Sequence, residues 1–165
     1  MKGEEILNEL SQDISGENSV RPIPSRSAFR FFSSIQTRWS DNDMLGHLNN
    51  VIYNRFFEAT IIAFYRSMVP YDVHQQPVVP FVAEALTRLR HPMSFPDTVE
   101  SGLAVGHLGK SSLRYDLGLF RAGEMLASAH GHLIHVFVDR KTQRPAPIPD
   151  ALRTVFETHM ILPQT

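Results

Sequence analysis

The segment "NVIYNRFFEATIIAFYRSM", which starts at Asn50, runs without a proline until Pro70, a span of roughly five helical turns. Proline cannot continue a helix, so the element ends there. Its apolar residues, Val51, Ile52, Phe56, Ala59, Ile62 and Ala63 among them, spread around most of the circumference instead of lying along one stripe. A helix with that pattern has to be wrapped by the rest of its fold.

The flanking sequence supplies the wrapping. From Arg30, "RFFSSIQTRW" has strand character, and beyond a proline-bearing connection the period changes to that of strands in "VAEALTRLRH", "DTVESGLAVGHLG", "SSLRYDLGLF" and "EMLASAHGHLIHVFVD". The third alternates cleanly, with Leu113, Tyr115, Leu117 and Leu119 on one face. "HPMSFPD", "GKS" and "RAGE" provide turns, and a segment beginning near Pro149 has Leu152, Val155, Phe156 and Met160 at helical spacing, as in a short surface helix. The order is one strand, a long buried helix, then four strands in hairpin succession. Hairpins demand an antiparallel sheet, so the expected class is α+β, a long central helix wrapped by a curved antiparallel sheet. One sheet leaves the far side of the helix and a strand edge uncovered. A second copy can cover both, so a homodimer is expected.

With 165 residues, 42% of them hydrophobic, the chain fits one domain with a real core. Residues 1–26, ending in "SVRPIPSRS", read as a flexible N-terminal extension. The domain is expected over 27–160 and a tail over 161–165. A formal charge of -1 gives no global case for nucleic acid or a membrane surface, and the lack of cysteine removes thiolate and disulfide chemistry. The start "MKGEEILNEL" carries glutamates where a signal peptide needs positive charge, and no apolar run approaches a bilayer span. A soluble, cytoplasmic protein is expected.

Between the first strand and the helix lies "RWSDNDMLGHLNN". Asp41, Asp43 and Gly46 fit the start of a calcium loop, but Leu45 and Ile52 stand where two further oxygen ligands are required, so that reading fails. The loop serves other chemistry better. The first N–H groups of a helix have no internal partner and, with the helix dipole, favour negative charge. They can hold a carbonyl oxygen as it becomes an oxyanion, while a carboxylate such as Asp43 attacks the carbon or deprotonates water. Gly46 lets the backbone approach a ligand, and His47 and Asn50 add polar groups to orient it. The same residues also suit plain structure. Asn49 or Asn50 can be an N-cap, Asp41 or Asp43 can stabilise the dipole, Gly46 can serve a turn and His47 can sit on the surface.

The pattern is an aromatic residue, Asp-x-Asp-x-x-Gly-His-x-Asn-Asn, then a tyrosine and Phe-Glu on the helix, with a closing "VFVDRKTQRPAPIP". It resembles the hotdog-fold acyl-CoA thioesterases of the 4-hydroxybenzoyl-CoA thioesterase type, over residues 30 to about 158. The resemblance implies that Asp43 is the catalytic carboxylate, that the helix N-terminal amide polarising the thioester falls at about Asn50, and that a glycine of a facing protomer helps in some members. Plant-type acyl carrier thioesterases keep an asparagine two residues after the aspartate, followed by a histidine. Here His47 is present but Leu45 replaces the asparagine. Glu58, the helix carboxylate used by other hotdog enzymes, is read as structural, bonded to buried backbone or to Arg55. Gly46 and Tyr53 are expected at the substrate, the acyl chain beside Tyr53 and Phe56 or Phe57, and Lys110, Ser111 and Ser112 near coenzyme A. The enzyme implied is a homodimer or homotetramer that needs no metal or cofactor beyond the coenzyme A of its acyl-CoA substrate.

Other signals carry less. "GHLGKSS" has Ala104 where a phosphate loop needs glycine and lies between strands. In "HGHLIH", His130 and His132 share one strand face and His135 takes the other, so they cannot converge on one metal. Arg88, Arg90, Arg114 and Arg144 suit a rim for an acidic nucleotide head, but such charges are more often a solvated sheet face. The rival functions are a hotdog enoyl-CoA hydratase, whose motif has Asn-Pro where "DMLGH" has neither, and a non-catalytic acyl-CoA sensor.

Overall fold

A computed structural model of the chain describes residues 22–69 and 72–159. Residues 1–21 of the expected extension, the expected tail and Met160 lie outside the described residues. The elements are β1 (Phe31–Gln36), α1 (Asn50–Met68), β2 (Val78–Leu89), β3 (Thr98–Leu108), β4 (Ser112–Arg121), β5 (Ala129–Asp139) and α2 (Asp150–Thr158). The strands form one antiparallel sheet in the order β1-β3-β4-β5-β2. With α1 against its inner face, this is the expected hotdog arrangement.

The hairpin succession holds for β3, β4 and β5 but not for β2, which pairs with β5 at the opposite edge from β1. Residues 90–97 therefore cross the end of the sheet instead of turning back. The crossing passes three strand spacings, about 14 Å, which eight residues span with slack to spare. β2 also starts earlier than the proline pattern suggests, since Pro80 lies inside it opposite Phe137. An edge strand tolerates a residue without an N–H, which is why a proline there does not break it.

The inner face of β4 is as its alternation predicts, with Leu113, Tyr115, Leu117 and Leu119 buried. They meet a stripe of α1 formed by Ile52 and Tyr53, Phe56 and Phe57, Thr60 and Ile61, and Phe64. One chain buries only that stripe, for Val51 remains 69% and Ile62 54% exposed. The final helix α2 is less superficial than its position suggests. Leu152 and Phe156 are buried, and the Phe156 ring packs against Phe64, Tyr115 and Phe137. One face of α2 thus closes the core at the end of the sheet where β3 meets β4. Gly131 is required for the β2–β5 seam, because a Cβ there would stand 1.9 Å from the Leu86 carbonyl oxygen.

β5 divides its histidines as the spacing predicts, His130 and His132 outward and His135 inward. His135 is 8% exposed, stands edge-on to Tyr115 with ring centres 5.1 Å apart, and its Nδ1 has no hydrogen-bond partner among the described residues. Burial pushes its pKa down to about 4. The unfolded chain titrates such an imidazole near ~6.5, so below that pH it takes up a proton that the folded core refuses. Stability contributed by the neutral ring is full above that value and is lost as pH falls towards about 4. Urea denaturation of wild type between pH 6.5 and 4 is expected to lose about 2–3 kcal/mol more than that of His135→Leu. Parallel pH profiles for the two proteins would contradict this account.

Candidate active site in the loop before the central helix

The loop after β1 is pinned at several points before it reaches its exposed tip. Asp41 is 1% exposed; its Oδ2 accepts the Arg38 N–H at 2.8 Å and its Oδ1 meets the Arg55 guanidinium on α1. Its carbonyl accepts the Asn49 N–H at 2.9 Å. Asn42 Oδ1 accepts the Phe95 N–H at 2.9 Å, and Leu48 N–H donates to the Met93 carbonyl at 2.8 Å, so the loop is fastened to the β2–β3 crossing as well. Between these anchors residues 43–47 form a tight excursion, with Asp43 N–H donating to the His47 carbonyl at 2.8 Å and Gly46 N–H to the Asp43 carbonyl at 3.1 Å. Gly46 has φ +81°, a conformation that side chains rarely adopt, and open space where a Cβ would project.

This arrangement gives the two aspartates different work. Asp41 is a buried brace. Asp43 is half-buried, and only one of its carboxylate oxygens is engaged, Oδ1 accepting from Leu45 N–H at 2.8 Å and from His47 N–H at a long 3.5 Å. Oδ2 has no hydrogen bond among the described residues. The local turn thus orients the carboxylate and leaves one oxygen available.

Asn49, not Asn50, is the N-cap of α1. Its Oδ1 accepts the Val51 N–H at 3.2 Å and its carbonyl the Ile52 N–H at 2.9 Å. The N–H of Asn50, the first residue of the helix, has no acceptor among the described residues. It is an open donor at the positive end of a 19-residue helix.

One turn on, Tyr53 is buried. Burial raises its phenol pKa, a backbone hydrogen bond with Met93 opposes the rise, and the Asp43 charge adds to it. Tyr53 therefore lies within electrostatic reach of Asp43. Asp43, Gly46, His47, Asn50 and Tyr53 occupy one end of the sheet, although the His47 ring is exposed and only its backbone is engaged. Lys110, Ser111 and Ser112 do not join them. They lie at the β3–β4 turn, where the Lys110 carbonyl accepts Ile148 N–H at 2.9 Å and Arg153 reaches the Gly109 carbonyl at 2.7 Å. The length of β3, about 35 Å, separates that turn from the Asp43 loop.

Two assignments change. Glu58 is exposed and is not the partner of Arg55, which Asp41 takes instead. Nothing in the sequence marks a brace between residues fourteen apart. Phe56 and Phe57 are buried core side chains. Open space beside α1 is found further along, in a groove of about 540 Å³ lined by Ile61, Ile62, Tyr65, Val69 and Pro80 together with Arg66, Asp72, His74 and His135. No helix among the described residues is long and apolar enough to cross a membrane.

Known proteins share this architecture. The PA5185 protein of Pseudomonas aeruginosa strain PAO1 is 37% identical, with a TM-score of 0.82 over 87% of this chain and 100% of that one. A thioesterase from Thermus thermophilus, solved with coenzyme A and Zn, is 28% identical with a TM-score of 0.67, over 79% of this chain and 94% of that one. The protein YsmA of Bacillus subtilis (strain 168) is 26% identical over 88 residues, 53% of this chain, and the match spans 59% of its length. A family pattern matches residues 37–156, from the braced loop to the buried Phe156. That match takes in both the loop and the helix it leads to, and on it the chain belongs to the thioesterase-like superfamily.

Proposed function

We propose that the protein hydrolyses the thioester of an acyl-CoA, or of an acyl carrier protein, to free acid and thiol. The observation that carries this reading is the open Asn50 N–H at the start of α1, preceded in the same braced loop by a carboxylate with one free oxygen. An uncharged thioester becomes a charged tetrahedral species as it reacts. The Asn50 N–H and the helix dipole favour the new oxyanion. Asp43 Oδ2 either takes a proton from the attacking water, or attacks the carbonyl carbon itself to form a mixed anhydride that water then hydrolyses to the free acid and the regenerated carboxylate. In both routes the carbon–sulfur bond breaks and the sulfur leaves as thiol with a proton that comes from the water. Gly46 leaves room for the substrate at the tip, and His47 and Tyr53 flank the reacting group. The coenzyme A complex of the Thermus thermophilus relative supports the choice of carrier.

A second copy completes this reading. β2 is an edge strand with Phe81 and Val82 about half exposed, and Ile62 is exposed beside the groove along α1. The groove begins roughly 16 Å along the helix from Asn50, too far for a short acyl group held at the same chain's Asp43. An antiparallel partner would bring its own helix N-terminus to that groove and its own Lys110 turn towards this chain's Asp43. A homodimer, alone or paired into a tetramer, is therefore the proposed working form.

Thiol release from short, medium, long and aromatic acyl-CoAs tests the chemistry. Asp43→Asn is expected to lower turnover by about 10² to 10⁴ with acyl-CoA binding and the melting temperature retained. Asp41→Ala is expected to lose about 1–3 kcal/mol of stability, because it removes a buried brace from Arg38 N–H and Arg55. Equal turnover in wild type and Asp43→Asn would sink the catalytic assignment. Binding of acyl-CoA with no thiol released from any of them would favour a sensor. For the assembly, Val82→Glu should convert the dimer to monomer in light scattering, and an unchanged mass would place the interface elsewhere.

A further inference from the structure

The outer face of the sheet, turned away from α1, carries a cleft of about 180 Å³ that the thioesterase reading leaves unused. Its floor is polar. In register across the strands, Arg88 of β2 stands opposite His130 of β5, and Leu86 stands opposite His132. His132 in turn faces Asp116 of β4, with Arg114 two residues along on the same face. Its roof is apolar, made by Pro22, Pro24, Ala28 and Phe29 as the chain crosses the sheet. The crossing is held by the Phe29 ring, which seats on Gly102 and Gly118, where any Cβ would meet it at 2.8 and 2.6 Å.

The charges there do not balance. Asp116 is engaged by Arg114 at 3.0 Å, and Glu84 by His132 at 2.6 Å. Arg26, which comes down from the roof segment, is taken by Glu100. Among the described residues Arg90 reaches only the His130 Nε2, at 3.3 Å, and Arg88 has no hydrogen bond or ion pair. Two guanidiniums without a carboxylate therefore flank a buried imidazole beside a partly roofed cleft. We propose that this cleft binds a compact oxyanion, a phosphate group or a carboxylate, between Arg88, Arg114 and His130. An arginine fork matches such oxygens in pairs, and the apolar roof strengthens the attraction by keeping water away from one side.

His130 couples the site to protons. Burial first, then the charges of Arg90 and Arg88, push its pKa down to about 4. An anion in the cleft offsets both arginines and favours the imidazolium, so binding must raise the pKa, and acid must tighten binding by the same factor. Asp116 and Glu84 oppose the anion but are already paired. The inference is independent of the Asp43 chemistry, which lies across the sheet.

Histidine ring resonances of the full-length protein, titrated at constant ionic strength with sulfate, which keeps its charge over this range, provide the test. Sulfate is expected to raise the His130 pKa by about one unit, a tenfold preference for the protonated ring, and to shift the Gly131 amide saturably at pH 7. Arg88→Gln should abolish both effects and Arg88→Lys retain part of them, with thiol release unchanged in each. Phosphate acting like sulfate while acetate does not would assign the site to phosphate groups; acetate acting as well would include carboxylates. No response to any of the three ions, or the same response in Arg88→Gln, would overturn the proposal.

Discussion

The contact on which the rest depends is the packing of one stripe of α1 on the inner face of the sheet. Seven residues of the helix, from Ile52 to Phe64, are buried there against side chains that alternate along β4 and its neighbours. At about 1.5 to 3 kcal/mol for each large apolar side chain removed from water, this is the dominant favourable term, and it fixes the helix in both position and rotation. Fixing the helix fixes its N-terminus. The open Asn50 N–H is then a rigid donor, able to act on a developing charge without reorganising, which is what oxyanion stabilisation requires.

The loop that leads to the helix has to be equally rigid, and one buried carboxylate achieves most of that. Asp41 joins the start of the loop, through Arg38 N–H, to the second turn of α1, through Arg55, while its carbonyl holds Asn49. A buried carboxylate is costly unless paired and hydrogen-bonded, and here both oxygens are used. The neighbouring Asp43 follows the opposite logic. It lies at an exposed tip, between Met44 at 98% exposure and the rest of the turn, and spends only one oxygen on its own backbone. A site of this kind needs both: one aspartate that cannot move and one that is not used up.

Much of this was legible in the sequence, and the failures have physical causes. The length of α1, the antiparallel strands and the inward face of β4 follow from period alone, because burial imposes that period directly. The place of β2 does not. A strand's partner depends on where its connection can reach, and a crossing of eight residues looks locally like a turn. The loop was legible as a candidate site through the Asp-x-Asp-x-x-Gly-His-x-Asn-Asn spacing, but only the resemblance pointed to Asp43; spacing alone does not separate the surroundings of Asp41 and Asp43. They differ by the direction of the side chain, set by a 3₁₀ turn over Trp39–Asp41. The distance of Lys110, Ser111 and Ser112 from the loop was equally hidden, since it follows from which end of β3 each turn occupies. The partner of Arg55 was hidden for a related reason: the fold brings it the buried Asp41, fourteen residues away, and leaves Glu58 exposed.

The two faces of β5 show how one strand serves two environments. His130 and His135 are both buried and both held neutral, yet the causes differ. For His135 burial alone acts, with the Tyr115 ring edge-on beside it. For His130 burial is joined by two arginines, so its neutrality is conditional on what occupies the cleft beside them. A proton refused for want of solvent is a fixed cost of the fold. A proton refused because of neighbouring positive charge can be admitted once an anion answers that charge, and this difference separates a core residue from one that can respond to a ligand.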